Sequence, residues 1–372
     1  MGQSPIPFLD LKRVNAPHEG AILAATNRVV QAGRYVLGEE VRAFEHEWAE
    51  YCGVAHAVGL GTGLDALRLI LEGYRELGRI PAGAEVLVPA NTYFATHLTI
   101  LQAGMVPILV DADSTFSHVD LEDLSRKITP KCKAMVVVPL HGIPEPMGHL
   151  KAFAQDHDLA LIADAAQAHG ASYAGVKTGA WSDAAAFSFY PTKNLGALGD
   201  AGAITTNDGD LAALVRQLRD YGRSDADYFQ YQGINSRLDE FQAAILRAKL
   251  PHLDSENANR REIAEQYLVA ISNPLVTLPK VIPQAIPVWH HFVVQVSQRD
   301  HFRNYLHDQG IGTALHYAVP PHHQPVWPKE LPLQAVPMAE QIFRQCVSLP
   351  LFPGLSAQEV SRVIDAVNAY SA

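Results

Sequence analysis

Short apolar runs alternate with helical patterns through the first part of the chain. Residues 106–111 and 134–139 are nearly continuous runs of Val, Ile, Leu, Ala and Met, and a loop and a helical stretch follow each of them. Runs without polar alternation are typical of strands that are buried on both faces, and their alternation with helices favours a parallel sheet. We therefore predict an α/β fold with a large, mostly parallel sheet that helices cover on both sides.

The segment of residues 187–196 carries the most unusual chemistry. An apolar run, residues 184–187, leads into Ser188, two aromatic residues, a proline and Lys193, and the chain then becomes rich in glycine. A lysine at the end of an apolar strand is costly to bury as a cation. Burial lowers the pKa of a lysine amine and frees it to attack carbonyl groups, so Lys193 is a candidate Schiff-base lysine.

A second apolar run, residues 159–163, ends in Asp164. In open α/β sheets, ligands bind beyond the carboxyl ends of the strands, so Asp164 and Lys193 are expected to face one site. This pair suits pyridoxal phosphate (PLP). The lysine holds the aldehyde as an imine, and the carboxylate keeps the pyridine nitrogen protonated so that the ring accepts electrons.

A turn from strand to helix at Thr62 is a candidate phosphate site. Thr62 can cap the helix, and Asp65 three residues later completes a pattern like a capping box. Gly63 lets the backbone approach an anion closely, and the free N–H groups of a helix start suit a phosphate. Taken alone this turn is weak evidence, but it gains weight beside Lys193.

Together these motifs resemble the DegT/DnrJ/EryC1/StrS family of sugar aminotransferases, which has the aspartate aminotransferase fold. The matching segments are residues 164–171, 187–196, 199–202 and 235–239, and the similarity runs from about Pro7 to the C-terminal helix. The resemblance implies a cytoplasmic homodimer that uses PLP, with the pyridoxamine form (PMP) during turnover. It implies amino transfer from glutamate, which leaves 2-oxoglutarate, to a nucleotide-linked keto sugar. The motif set is most similar to members that aminate carbon three of dTDP-3-keto-6-deoxyhexoses, with amination at carbon four as the alternative.

The resemblance also implies residue roles. Lys193 and Asp164 are the expected catalytic residues, and Lys193, once freed, moves a proton between the substrate and the cofactor. The family motif Ser-Gly-Thr reads Thr62-Gly63-Leu64 here, so the phosphate contact at Leu64 is expected through the backbone alone. Asn235 is expected to reach the cofactor phosphate of the partner subunit. The expected cofactor-binding residues are Gly63, Leu64, Tyr93, Asp164, Gln167, Ser188, Lys193 and Asn235.

Substrate contacts are expected from aromatic, basic and histidine side chains. Tyr190 shares a strand face with Ser188 because the two lie two residues apart. Ala318 replaces the proline of the family motif His-Tyr-Pro. The expected substrate-binding residues are Tyr35, Tyr190, Arg219, Tyr221, Arg237, His316 and Tyr317.

Two other functions are alternatives to amino transfer. Sugar dehydratases of the same fold carry histidine at the position of Lys193, which argues against that activity here. A non-catalytic binding or regulatory module is disfavoured because Lys193, Asp164, Gln167 and Ser188 are all present. No metal site is predicted, because His322 and His323 are adjacent, no carboxylate lies near them in sequence, and ordered ligand spacing is lacking. The sequence assigns no role to His169 or His322.

The composition limits which binding partners and which cellular compartment are expected. The 372 residues carry a net charge of −10, which gives no bulk attraction for nucleic acid or for an anionic membrane. The three cysteines show neither zinc spacing nor a disulfide framework, so a reducing compartment is expected. The first residues lack the pattern of a signal peptide, and no apolar run approaches the roughly 18 residues of a membrane span.

The composition and the pattern of predicted elements change near Val276. Prolines become frequent there, and short strands alternate with helices, which favours a smaller α+β unit. We predict a large PLP-binding domain over residues 1–250 and a small C-terminal domain over residues 251–372.

Overall fold

The computed structural model describes residues 4–113, 115, 118–224, 228–331 and 334–371. A small three-stranded sheet and one strand pair accompany one large sheet in this part of the chain. The strands are β1 (His56–Leu60), β2 (Glu85–Pro89), β3 (Val106–Val110), β4 (Cys132–Val137), β5 (Ala160–Asp164), β6 (Ser172–Tyr173), β7 (Val176–Lys177), β8 (Ala184–Ser188), β9 (Gly202–Thr206), β10 (Ala285–Ile286), β11 (Phe292–Gln295) and β12 (Cys346–Leu349).

Helices cover the large sheet and form most of the C-terminal part. They are α1 (Leu11–Asn15), α2 (Glu19–Ala32), α3 (Glu39–Cys52), α4 (Gly63–Glu76), α5 (Phe94–Gln102), α6 (Leu121–Lys127), α7 (Met147–Asp156), α8 (Gly209–Leu218), α9 (Glu240–Lys249), α10 (Leu253–Ala270), α11 (Arg299–Asp308), α12 (Pro337–Gln345) and α13 (Ala357–Ala369). Residues 250–252 form a 3-10 turn between α9 and α10, and Pro251 lies within this turn.

The large sheet has the strand order β1-β9-β8-β5-β4-β2-β3. Only β9 runs opposite to its neighbours among these seven strands, so the prediction of a mostly parallel sheet is confirmed. Asp164 pairs with Ala186 across β5 and β8, and Ser188 lies two residues further along β8. The register therefore brings the ends of these two strands to the same edge of the sheet.

Two cores sandwich the sheet. Leu161 and Ala163 of β5 face the core that contains Trp48 of α3, whereas Ile162 faces the core built from α4, α5 and α8. This alternation follows from the two-residue period of a strand. With both faces covered, β5 has to be apolar at every position up to Asp164, which explains the run seen in the sequence.

A third core lies in the C-terminal part and takes in the start of the chain. It combines side chains of α10, α11, α13, β11 and β12 with Ile6 and Val14. Ile6 forms a parallel bridge with Ile311, and Arg13 pairs with Glu359 at 2.7 Å. The first residues therefore pack against the C-terminal part, although they were predicted to belong to the large domain. The boundary at residue 250 stays a prediction.

The loop before α3 is fixed by a carboxylate from α9. Glu240 is buried and accepts hydrogen bonds from the amides of Gly38, Glu40 and Val41, at 2.6, 2.9 and 3.1 Å. These amides include free donors of the first turn of α3, so a buried anion caps this helix start. The loop of residues 33–38 is thus held against α9. Within the described ranges no helix has the length and apolar character to cross a bilayer.

Candidate functional site

A cavity of about 360 Å³ opens at the edge of the sheet where the parallel strands end. Its walls come from the residues that follow β1, β2 and β4, from the ends of β5 and β8, and from the segment before β9. Its size lies in the range of small-molecule sites. It brings together ten of the predicted site residues: Gly63, Leu64, Tyr93, Asp164, Gln167, Ser188, Tyr190, Lys193, His316 and Tyr317.

Lys193 presents a free amine to this cavity. Burial, opposed by attraction to the Asp164 carboxylate, lowers the pKa of Lys193 to about 8. Burial also lowers the pKa of Lys249 to about 8, but the Lys249 amine donates to Asn15 Oδ1 at 2.9 Å and to the Gly196 carbonyl at 2.6 Å. Within the described part of the chain, Lys193 Nζ makes no hydrogen bond. What distinguishes Lys193 is therefore an unengaged amine that faces open space.

Asp164 is positioned by α5. Thr96 donates a hydrogen bond to Asp164 Oδ2 at 2.7 Å, and the amide of Ala166 donates to Oδ1 at 3.3 Å. Burial raises the pKa of the Asp164 carboxyl, while the bond from Thr96 and the charge of Lys193 act in the opposite direction. The carboxylate is thus oriented, and its burial makes it a strong partner for a cationic atom in the cavity.

The start of α4 packs directly on the end of β8. Thr62 caps α4 by accepting from the amide of Asp65 at 3.0 Å. The Asp65 carboxylate does not return to the cap as the capping-box pattern predicted, because it accepts from Ser236 Oγ at 2.6 Å instead. The amides of Gly63 and Leu64 have no intrahelical acceptor, as at any helix start. They lie beside Ser188, and the three groups can bind one anion.

Substituting Gly63 by alanine is expected to destabilise the protein. An added Cβ would lie 2.5 Å from Ser188 Cβ and 2.8 Å from Ser188 Cα, and the second of these atoms belongs to the backbone of the sheet. Overpacking of this kind costs about 1–3 kcal/mol. Chemical denaturation measures the change in the free energy of unfolding. Gly20→Ala is the matched control in α2, where nothing lies within 4 Å, and it should not destabilise the fold. Equal stability of the two variants would contradict this packing.

Three further polar side chains line the cavity, namely Tyr93, Gln167 and Tyr317. Gln167 Nε2 donates to the Tyr317 hydroxyl at 2.7 Å, and Gln167 Oε1 accepts from the amide of His141 at 2.7 Å. The rings of Tyr93 and Tyr317 have centroids 5.0 Å apart. Burial raises the pKa of Tyr317, which keeps its phenol protonated. These contacts orient the Gln167 amide and two aromatic rings toward the cavity.

A stack of histidines forms the floor of the cavity beside Lys193. The rings of His291 and His316 are stacked with centroids 3.6 Å apart, and His290 lies 3.9 Å from His291. Burial lowers the pKa of His316 to about 4 and the pKa of both neighbours further below the ordinary value. These lowered pKa values keep the three rings neutral, so the rings add no positive charge next to Lys193.

Arg219 and four other predicted site residues lie outside the cavity lining. Tyr35 stacks on Phe241 with ring centroids 5.8 Å apart. The Arg237 guanidinium lies over the Tyr221 ring at 5.7 Å, and the Asn235 side chain is exposed. Within a single chain these residues therefore do not touch the site.

Arg219 is placed differently from what the sequence predicted. Its buried guanidinium pairs with Glu45 at 2.5 Å and donates to the Gly59 carbonyl at 2.8 Å. It thereby joins α3 to β1 and is neither a solvated helix end nor part of the cavity. The substrate contact of Arg219 stays a prediction. His169 packs among Trp48, Phe187 and Phe189, with ring centroids 5.4–5.9 Å apart.

Sequence reasoning missed several residues of the site. Thr96 lies in α5 and orients Asp164, but a threonine in a helix carries no signal of that role. His290 and His291 line the cavity although they are about 100 residues beyond Lys193 in sequence. The adjacent pair of histidines was a visible signal, but only the fold shows that it faces the strand ends.

Comparisons with known proteins agree with this geometry. The model of the DegT/DnrJ/EryC1/StrS aminotransferase family matches residues 18–368. A protein of Aneurinibacillus thermoaerophilus named dTDP-3-amino-3,6-dideoxy-alpha-D-galactopyranose transaminase is 47% identical over 365 residues, which cover 98% of this chain and 99% of the relative. A UDP-N-acetyl-3-dehydro-alpha-D-glucosamine 3-aminotransferase of Acidithiobacillus ferrooxidans is 38% identical and covers 97% of each chain.

A solved structure is also similar over nearly its full length. The crystal structure of Streptomyces venezuelae DesV in complex with a ketimine intermediate superimposes with a TM-score of 0.94. The two sequences are 44% identical, and the match covers 98% of each chain. These findings confirm the predicted fold class and the predicted enzyme class. The chain belongs to the DegT/DnrJ/EryC1/StrS aminotransferase family.

Proposed function

We propose that this protein transfers the amino group of glutamate to carbon three of a dTDP-linked 3-keto-6-deoxyhexose, with PLP as cofactor. The observation that carries the proposal is the free amine of Lys193 beside the oriented carboxylate of Asp164 in one cavity. The names of relatives support the substrate class, since one of them is a transaminase of a dTDP-3-amino-3,6-dideoxy sugar at 47% identity. Such amino sugars are building blocks of polysaccharides and antibiotics.

The residues of the cavity fit PLP. Lys193 offers an amine that is half neutral at about pH 8, and Asp164 offers a buried negative charge. The amides at the start of α4 and the Ser188 hydroxyl offer donors for a phosphate. When bound, the cofactor supplies an electron-accepting ring that stabilises negative charge on carbon.

In this proposal the chain supplies positioning and proton transfer. Lys193 Nζ would hold the cofactor and, when not bonded to it, would be the base that accepts the proton from the α-carbon of glutamate. Asp164 would keep a ring nitrogen of the cofactor protonated, and Tyr93 would offer an aromatic surface to the ring. Gln167 donates from its amide to an acceptor on the cofactor, and Tyr190, His316 and Tyr317 contact the sugar. The oriented donors reduce the freedom of the reacting groups.

The rate at which the apoprotein binds PLP covalently is expected to depend on pH with a midpoint near 8. The protonated amine cannot attack a carbonyl, so the rate should fall about tenfold per pH unit below that midpoint and level off above it. Rapid mixing with PLP, followed by visible absorbance, measures this rate. N-acetyl-lysine amide is the reference, since its amine has the ordinary pKa of about 10.4. A protein midpoint equal to that of the reference would contradict a lowered pKa at Lys193.

We further propose a homodimer in which each subunit completes the site of the other. Asn235 is exposed, and Tyr221 and Tyr93 expose 44% and 55% of their surfaces. Phe229 exposes 65% and forms a bridge with Arg223, two residues after Tyr221, and exposed large apolar side chains indicate an interaction surface. In the dimer, Asn235 and Tyr221 would reach the partner's cofactor phosphate and sugar nucleotide. Tyr35 and Arg237 would add to the same contact.

The cytoplasm is the compartment that we propose. Cys52, Cys132 and Cys346 are free and buried. Burial raises the pKa of each thiol, so these cysteines have low reactivity as nucleophiles. Unpaired cysteines of this kind are typical of a reducing compartment.

A panel of substrates tests the proposed function. The purified protein is incubated with glutamate and dTDP- or UDP-linked 3-keto and 4-keto sugars, and mass spectrometry detects amino sugars while an enzymatic assay detects 2-oxoglutarate. We expect both products with the dTDP-linked 3-keto-6-deoxyhexose and neither product without glutamate. Preferential amination of a 4-keto sugar would overturn the ring position. A dehydrated sugar formed without glutamate would overturn amino transfer.

A further inference from the structure

Two histidines and a glutamate meet at a place that amino transfer does not use. His322 and His323 lie in the 3-10 turn Pro321–His323, and Glu340 lies in the first turn of α12. His322 Nε2 is 3.6 Å from Glu340 Oε1, and His323 Nε2 is 3.8 Å from the same oxygen. The fold thus supplies the carboxylate that was missing near these histidines in the sequence.

The spacing of these atoms suits metal ligands better than direct hydrogen bonds. Hydrogen bonds between nitrogen and oxygen are about 2.7–3.2 Å long, so both contacts exceed that range. Two ligands of a tetrahedral ion with bonds of about 2.0–2.1 Å lie about 3.3 Å apart. One ligand atom from each of the three residues lies within 4.8 Å of the others. Small side-chain rotations would therefore bring all three to coordination distance.

In the part of the chain that the structure describes, His322 lacks a hydrogen-bond partner at close distance. Its side chain is 1% exposed, and neither ring nitrogen has a hydrogen-bond partner among the described residues. Buried polar atoms without partners are rare in native proteins and require an explanation. The ring packs near Trp327 and His323, with ring centroids 6.5 and 4.5 Å away. A bound cation would satisfy Nε2.

We propose that His322 Nε2, His323 Nε2 and Glu340 Oε1 form a binding site for a late first-row divalent cation such as Zn²⁺. Two imidazoles and one carboxylate suit this class of ion, whereas Mg²⁺ and Ca²⁺ prefer oxygen ligands. His323 and Glu340 have side chains that are 48% and 32% exposed, so ions can enter and water can complete the coordination.

The cation would connect two segments that both lead to the cavity. The turn with His322 follows Tyr317 by five residues. Helix α12 leads into β12, where Ser348 Oγ lies 2.8 Å from His316 Nδ1. Met338 and Ala339 amides donate to Asp111, which fixes the start of α12. A bound cation therefore ties the segment after Tyr317 to a fixed helix.

Calorimetric titration of the tag-free holoenzyme with ZnCl₂ tests the site. We expect about one Zn²⁺ per chain. His323→Ala and Glu340→Gln should each weaken binding at least about tenfold, since even partners of metal ligands are worth 10–100-fold. Arg344→Ala should strengthen binding, because the Arg344 guanidinium lies 3.6 Å from Glu340 Oε2 and repels a cation.

A second histidine–carboxylate pair on the surface provides the control. His307 Nδ1 lies 3.5 Å from Asp308 Oδ1, and its side chain is 87% exposed. His307→Ala should bind Zn²⁺ as the unmodified protein does. The proposal is overturned if saturable binding is absent, or if it persists unchanged in both His323→Ala and Glu340→Gln. Circular dichroism of these variants checks that surface substitutions leave the fold intact.

Discussion

Replacing Lys193 with alanine is expected to abolish the visible absorbance of protein-bound PLP and to lower turnover at least about 10⁴-fold. One general acid–base group is worth about 10²–10⁴-fold, and this variant also loses the nucleophile that holds the cofactor. The physical reason is the free amine, whose pKa burial lowers to about 8. Absorbance spectroscopy with added PLP and the glutamate-dependent production of 2-oxoglutarate measure the two effects.

Lys249 is the matched control for this prediction. It is also buried with a pKa near 8, but its amine is engaged by Asn15 and by the Gly196 carbonyl. Lys249→Gln should therefore lower the thermal stability while the visible band remains. If Lys193→Ala kept the band and the turnover, another amine would hold the cofactor, and the proposed role of Lys193 would be wrong. If Lys249→Gln lost the band while remaining folded, a lowered pKa alone would not identify the nucleophile.

The sheet and its edge could be predicted from local sequence because burial on both faces dictates composition. The strand β5 is apolar up to Asp164, and a carboxylate at the end of such a strand has to lie at the sheet edge. The same argument placed Ser188 at the end of β8. For these residues, position in the chain and position in space are linked by one strand, so the pattern was sufficient.

The parts that could not be predicted depend on contacts between distant segments. Thr96 meets Asp164 across 68 positions of the chain, and Glu240 caps α3 across about 200. Arg219 looks like an exposed basic residue at a helix end, yet Glu45 draws it into the interior. Side-chain type does not specify such partners, because many threonines and glutamates are equally compatible with a helix. The way the helices and strands pack in the fold determines which of these side chains meet.

Replacing Asp164 with asparagine is expected to lower turnover by about 10²–10³-fold, the usual effect of removing one preorganised electrostatic group. Asparagine keeps the shape and can still accept from Thr96 Oγ, so the lost property is the buried negative charge. Without that charge, a protonated ring nitrogen in the cavity is no longer favoured, and the cofactor accepts electrons less readily. Steady-state kinetics with glutamate measure the loss, and PLP should still attach to Lys193.

Thr96→Val separates the charge of Asp164 from its orientation. Valine has nearly the same shape but cannot donate to Asp164 Oδ2, so the carboxylate remains while its 2.7 Å hydrogen bond is removed. That bond lowers the pKa of Asp164, so its loss should raise this pKa and move the acidic limb of the pH–rate profile to higher pH. We expect a smaller loss of turnover than in Asp164→Asn, greatest at low pH. A loss that is equal at every pH would show that Thr96 acts on packing and not on the ionisation of Asp164.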